Sequence, residues 1–202
     1  MELGMTKQEQ LLALFRKRGV LTVDDRECND IPHIYFSRLC AAGLIDRIGH
    51  GVYSCPGYSS TEYITNVEAA AVIPQGVVCL FSALRHHGLT LENPHRLHIA
   101  IPRGARVPKH ELPVEIYRFS MQAHAFGVET VQTKDGAFKV YSVEKTIVDC
   151  FKFRNAVGLD VAIVALKDAQ KGNLIDHDKI WKAMAVCRME RVMQPYMEGI
   201  VA

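Results

Sequence analysis

No apolar run in this 202-residue chain approaches the roughly 18 residues that a membrane-crossing helix needs, so no membrane partner is expected. The opening Met1-Glu2-Leu3-Gly4-Met5-Thr6-Lys7 lacks a basic start followed by an apolar stretch. A secretory signal is therefore not expected, and the cytoplasm is the expected compartment. None of the six cysteines (Cys28, Cys40, Cys55, Cys79, Cys150, Cys187) falls in a CxxC or CxxxxC pair. Zinc ribbons and redox motifs need that spacing so that two sulfurs meet one ion or each other, and these thiols read instead as small buried hydrophobes. P-loop, GxSxG, GxGxxG and HExxH sequences do not occur, no internal repeat or low-complexity tract is found, and no cofactor is expected. With 49% hydrophobic and 23% charged residues, disordered, collagenous and coiled-coil classes drop out. The net charge of +2 permits a local nucleic-acid patch without demanding one.

What is present divides at Tyr53-Ser54-Cys55-Pro56-Gly57-Tyr58-Ser59-Ser60, a proline-, glycine- and serine-bearing loop that predicts a boundary between residues 1–58 and 59–202. In the first part, Thr6 and Glu9 fit a capping box opening a helix with Leu11, Leu12, Leu14 and Phe15 at helical spacing, stopped by Gly19. A second, short helix is predicted from Thr22 to Cys28, with Asp25 in its cap. A third begins around Asp30-Ile31-Pro32, takes an apolar side from Ile34, Phe36, Leu39 and Cys40, and ends at Gly43. Residues 44–48 and 52–54, joined through Gly49-His50-Gly51, read as a β-hairpin. That order predicts a winged helix-turn-helix, in which the third helix buries one face and offers the other to a major groove. The free face would carry His33, Tyr35, Ser37 and Arg38, and Arg47 and His50 at the hairpin tip would reach phosphates or the minor groove. Lys7, Arg16, Lys17, Arg18, Arg26, Arg38 and Arg47 are matched in number by Glu2, Glu9, Asp24, Asp25, Glu27, Asp30 and Asp46. DNA binding would thus rest on charge asymmetry between faces, and a protein-docking module is the alternative.

The second part reads as mixed α/β. A cap at Ser59-Ser60-Thr61-Glu62 precedes a helix with Ile64, Val67, Ala70 and Ala71. Residues 77–80, 98–101, 114–119 and 138–141 read as strands, and Ser82 is expected to cap a helix over 83–87. Helices are predicted over 142–155, 159–171 and from Asp176 onward. The whole is α+β: a winged helix-turn-helix followed by a mixed α/β domain with C-terminal helices. His86, His87, His95 and His98 cluster in sequence, but adjacent helical histidines point about 100° apart, and surface or capping roles are expected rather than a metal site. Lys145 and Asp149, one helical turn apart and set with Lys152 opposite Val143, Ile147, Cys150 and Phe151, are read as a solvated ion pair worth ~0.2–0.5 kcal/mol. The alternative is a metal-dependent nuclease built on Glu144 and Asp149. Arg103, Arg106 and Lys109, in a loop flanked by Pro102 and Pro108, are candidate contacts for a phosphate backbone or a partner.

Several segments in this order carry a resemblance: Tyr35-Phe36-Ser37-Arg38-Leu39, then Ala42 to Tyr53, then Ser82-Ala83-Leu84-Arg85-His86-His87-Gly88-Leu89-Thr90, Ile99-Ala100-Ile101-Pro102-Arg103, and Val140 to Cys150. Over nearly the whole chain the sequence resembles the AbiEi-type antitoxin and transcriptional regulator family of bacterial type IV toxin–antitoxin systems. The resemblance implies a non-enzymatic repressor whose winged helix binds inverted repeats in its own promoter, with DNA contacts at Tyr35, Ser37, Arg38, Arg47 and His50. It also implies an α/β domain that counteracts a nucleotidyltransferase-like toxin without requiring a stable complex with it. His50 departs from the family pattern, standing where an arginine is more usual.

Overall fold

Thr6 and Glu9 close a reciprocal pair at the head of helix α1 (Lys7–Arg18): the Glu9 amide donates to Thr6 Oγ1 at 3.3 Å and the Thr6 amide to Glu9 Oε2 at 2.8 Å. Two orphan donors are satisfied at once, which is why the helix starts there. Leu11 and Phe15, four apart, are fully buried, and the chain leaves through Gly19 at φ +74, where an added Cβ would lie 2.5 Å from the Tyr58 ring. The computed structural model describes residues 5–25, 28, 30–58 and 61–201, and these form two compact units. The first holds the described residues up to Gln75 with Arg106–Leu112 and Val131–Phe138. The second holds Gly76–Ala105, Pro113–Thr130 and the chain from Lys139. The chain is α+β.

In the first unit, strands β1 (Val20–Thr22), β2 (Asp46–Gly49) and β3 (Val52–Ser54) make an antiparallel sheet of order β1-β3-β2, with a bulge between Arg47 and Gly49. Helix α2 (Ile34–Ala41) lies between β1 and the hairpin in sequence, and α3 (Ile64–Val72) follows it. Leu11, Phe15, Leu21, Phe36, Leu39, Ile45 and Tyr53 form one core, with Phe36 5.0 Å from the Tyr53 ring and 6.3 Å, edge-on, from Phe15. Of the short helix expected from Thr22 to Cys28, the described part shows helical turns of the tighter three-residue kind: the Asp25 amide reaches the Thr22 carbonyl at 3.1 Å and the Cys28 amide the Asp25 carbonyl at 2.8 Å. Val20, Leu21 and Thr22 pair with β3, Val23 to Asp25 turn, and residues 26 and 27 lie outside the described set. Asp25 accepts the Thr22 amide at 2.7 Å, the contact expected of an acidic residue three positions into a cap. The cap expected at Ser59-Ser60 also lies outside the described residues; α3 opens at Tyr63 with no side-chain cap.

Strands β4 (Val77–Val78), β5 (Leu97–Pro102) and β6 (Val114–Phe119) of the second unit form a five-stranded sheet with β7 (Val128–Thr133) and β8 (Gly136–Tyr141), in order β6-β5-β4-β8-β7; Val131–Thr133 and Gly136–Phe138 count with the first unit. β5 runs parallel to β6 and antiparallel to β4, which is parallel to β8. The helices of the second unit are α4 (Leu80–His86), α5 (Met121–Ala125), α6 (Val143–Lys152), α7 (Arg154–Val157), α8 (Leu159–Lys171), α9 (His177–Cys187) and α10 (Glu190–Val201). Ser82 does not cap α4, which starts earlier; it is buried inside the helix, and its Oγ accepts the His98 amide at 2.9 Å. The predicted helix over 142–155 is interrupted at Phe153, and strand β7 and helix α5 were not foreseen. Every α6 residue from Glu144 to Phe151 is buried, because α4, α8 and α9 all pack on it. On the polar side expected for this helix, Lys145 and Asp149 are therefore shut off from water, while Lys152 at its end is exposed. Among the described residues no helix is long and apolar enough to cross a membrane, and no disulfide joins the cysteines.

Candidate functional site

Helix α2 owes its place to its two apolar anchors and to its exit. Phe36 and Leu39, both 0% exposed, pin one side to the core. At the other end the Gly43 amide reaches the Cys40 carbonyl at 2.9 Å and the Leu44 amide reaches Leu39 at 3.0 Å, with Gly43 at φ +67. That is a Schellman stop, which only a residue tolerant of left-handed backbone closes cheaply, and it turns the chain into the hairpin. The opposite flank of α2 is left to solvent: His33, Ile34, Ser37, Arg38 and Ala41 are exposed and Tyr35 half-buried. Ile34, expected on the apolar side, is 52% exposed and sits on this flank instead, since it lies two residues from Phe36 and so turns away from it.

Contacts within the flank set side-chain positions. The Arg38 guanidinium lies 5.5 Å from the Tyr35 ring centroid, and the His33 ring meets Phe36 edge-on at 6.5 Å. On the hairpin, Arg47 Nε donates to the Gly49 carbonyl at 3.2 Å across the bulge, and His50 is exposed in the turn. Gly49 is buried beside the hairpin turn, and an added Cβ there would lie 2.9 Å from Val72 on α3, so a side chain at this position would force a neighbour to shift. Asp24 and Asp30 share a shallow cleft with His33 at the N-terminal end of α2. Carboxylates there oppose an anion, whereas Arg38 and Arg47 lie at the other end of the helix and on the hairpin.

The remaining predicted residues are distributed differently. Arg103, Arg106 and Lys109 are all exposed, and the Gln75 side chain donates to the Arg106 carbonyl at 3.1 Å. His87 Nε2 donates to the Tyr141 carbonyl at 2.7 Å, and His98 is buried. Lys145 and Asp149 are hydrogen-bonded to each other and both fully buried, which overturns the solvated pair expected from sequence. Lys145 Nζ sits 4.1 Å from the Tyr141 ring centroid and 4.6 Å from that of Phe119, and the Cys187 thiol donates to Asp149 Oδ1 at 3.7 Å. Burial pushes the Asp149 carboxyl upward, against the pull of Lys145. Glu144 is also engaged: its Oε2 accepts the Ser142 hydroxyl at 2.9 Å and its Oε1 the Asp176 amide at 3.1 Å. Sequence reasoning missed a second grouping, His98, Glu115 and Tyr117 around one cleft, because strand register rather than spacing brings them together.

Two family models match the chain. Residues 9–56 match one described as a transcriptional regulator, AbiEi antitoxin, and residues 76–191 match the AbiEi antitoxin C-terminal domain. No curated protein matches it.

Proposed function

The chain belongs to the AbiEi antitoxin family, a family of antitoxins and transcriptional regulators, and on that premise we propose that residues 1–58 are a winged helix-turn-helix that binds operator DNA. The observation that carries this reading is the exposed flank of α2, polar and cationic at Ser37 and Arg38, backed by the fully buried Phe36 and Leu39. A helix anchored on one side and free on the other is what a major groove admits. Arg38 and Tyr35 contact bases, and His33 lies at the entry to the groove. Ser37, Arg47 and His50 contact phosphate or sugar, and exposed Ile34 offers an apolar surface to a thymine methyl. Asp24 and Asp30 keep phosphates away from the N-terminal end of the helix and so bias the grip toward Arg38 and the hairpin.

The operator carries inverted repeats in the protein's own promoter, and binding represses the operon. Residues 59–202 form the antitoxin domain, which counteracts a nucleotidyltransferase-like toxin; Arg103, Arg106 and Lys109 supply contacts to phosphate or to a partner. The protein acts in the cytoplasm and without catalysis. Full burial of Asp149 and its bond to Lys145 support the non-enzymatic reading, since a carboxylate that holds magnesium for substrate hydrolysis must meet both metal and substrate.

The test is fluorescence anisotropy of the full chain with labelled duplex from upstream of its own gene. Saturable binding that weakens steeply between about 50 and 200 mM salt is expected, because phosphate contacts release counterions. Absence of binding, or binding indifferent to salt, would favour the protein-docking module.

A further inference from the structure

The second unit carries a cleft of about 460 Å³ that the DNA-binding reading does not use, lined by Phe81, Glu92, His95, His98, Glu115 and Tyr117 among others. Parallel register between β5 and β6 sets His98 directly beside Glu115, and Tyr117 follows two residues on. The His98 ring meets Phe81 at 5.8 Å and Tyr117 at 5.3 Å, both edge to face, so three rings form one aromatic wall. His98 is only 7% exposed, and its Nδ1 has no hydrogen-bond partner among the described residues. Its Nε2 stands 3.8 Å from Glu115 Oε2, outside hydrogen-bond range. Tyr117 donates to Glu115 Oε1 at 2.8 Å, so that oxygen is engaged, while Oε2 faces His98 at 3.8 Å.

The charge of this cleft is one-sided. Glu92 and Glu115 line it, and no lysine or arginine among the described residues does. Burial holds the His98 imidazole below its usual range, with Glu115 opposing, so the ring is neutral at neutral pH. Burial, reinforced by the bond to Glu115, raises the Tyr117 phenol well above its usual value, and it too stays neutral. Aromatic faces with carboxylates and no compensating cation repel phosphates and carboxylates and attract organic cations.

We propose that this cleft binds a guanidinium group, seated against the aromatic wall and paired with Glu115. The planar guanidinium stacks on rings while donating in its own plane to a carboxylate, which a bulky anion or an apolar ligand could not do here. The same chemistry arrives either as a free guanidine-bearing small molecule or as an arginine side chain of a protein segment.

Calorimetric titration of the full chain decides this, with arginine amide and the blocked tripeptide acetyl-Gly-Arg-Gly-amide as probes and sodium chloride matched for ionic strength as the blank. Saturable binding of at least one probe is expected. Glu115→Gln, half-exposed and isosteric, should weaken it at least about tenfold, while Glu129→Gln, an exposed carboxylate on β7, should not change it. Equal affinity for the two probes assigns the site to a free guanidine, and roughly tenfold tighter tripeptide binding assigns it to a protein segment. No saturable binding of either probe up to about 20 mM, or equal weakening by both variants, would overturn the proposal.

Discussion

Lys145 and Asp149 form a hydrogen-bonded ion pair with neither side chain exposed, one turn apart on a helix that is itself enclosed by α4, α8 and α9. Two charges taken out of water make the pair costly to break singly and cheap to replace together. Lys145→Met alone is expected to lower unfolding stability by about 3–5 kcal/mol, because the fully buried Asp149 loses its ion-pair partner and keeps only the weak Cys187 thiol contact. The double variant Lys145→Met/Asp149→Leu is expected to recover most of that loss. Urea unfolding of the three proteins checks this; a single-variant cost below about 1 kcal/mol would mean the pair behaves as a surface pair does.

Sequence alone assigned the pair to the surface, and the reason is geometric. Helical periodicity identifies the apolar face of α6 but is blind to how many neighbours surround it, and here Lys145 and Asp149 on the polar side are enclosed as well, with Lys152 alone of the three left exposed. Local signals fared better. The Thr6–Glu9 box, the Gly43 stop and the hairpin through Gly51 depend on residues within one turn of each other, and all are present. Strand β7 was missed because Val128-Glu129-Thr130-Val131-Gln132-Thr133 is largely exposed and carries little apolar alternation. Exposure of Ser37 and Arg38 on α2 followed from their spacing relative to Phe36 and Leu39. The juxtaposition of His98 with Glu115 did not, since it exists only once β5 and β6 pair in parallel.

Asp135 gives the first unit an acid-sensitive contact. Burial works against its charge, but the Thr61 hydroxyl and amide, the latter at 2.9 Å, prevail and hold the carboxyl below its ordinary range. A carboxyl depressed in the folded state contributes stability that is fully present above its unfolded pKa near 3.9 and lost as pH falls through the folded value. Thr61→Val is therefore expected to cost about 1.5–3 kcal/mol at pH 7, with the gap to the parent closing as pH drops below about 4. Thermal melts at stepped pH check this, and a gap that widens on acidification would contradict it.

Arg47 is assigned to the DNA backbone, not to bases. Arg47→Ala is expected to weaken binding by a similar factor on operator and on scrambled duplex, and to reduce the salt slope by about one. Anisotropy titrations at several salt concentrations measure both; selective loss on the operator alone would move Arg47 to a base-reading role.

Arg38 carries the central claim, so the most direct measurement compares Arg38→Ala with the parent protein on operator and scrambled duplex at one fixed salt concentration. The account predicts a loss of about 1–3 kcal/mol on the operator, little change on scrambled DNA, and a correspondingly smaller ratio between the two. Unchanged operator affinity and unchanged discrimination would contradict the assignment of α2 as the helix that reads DNA.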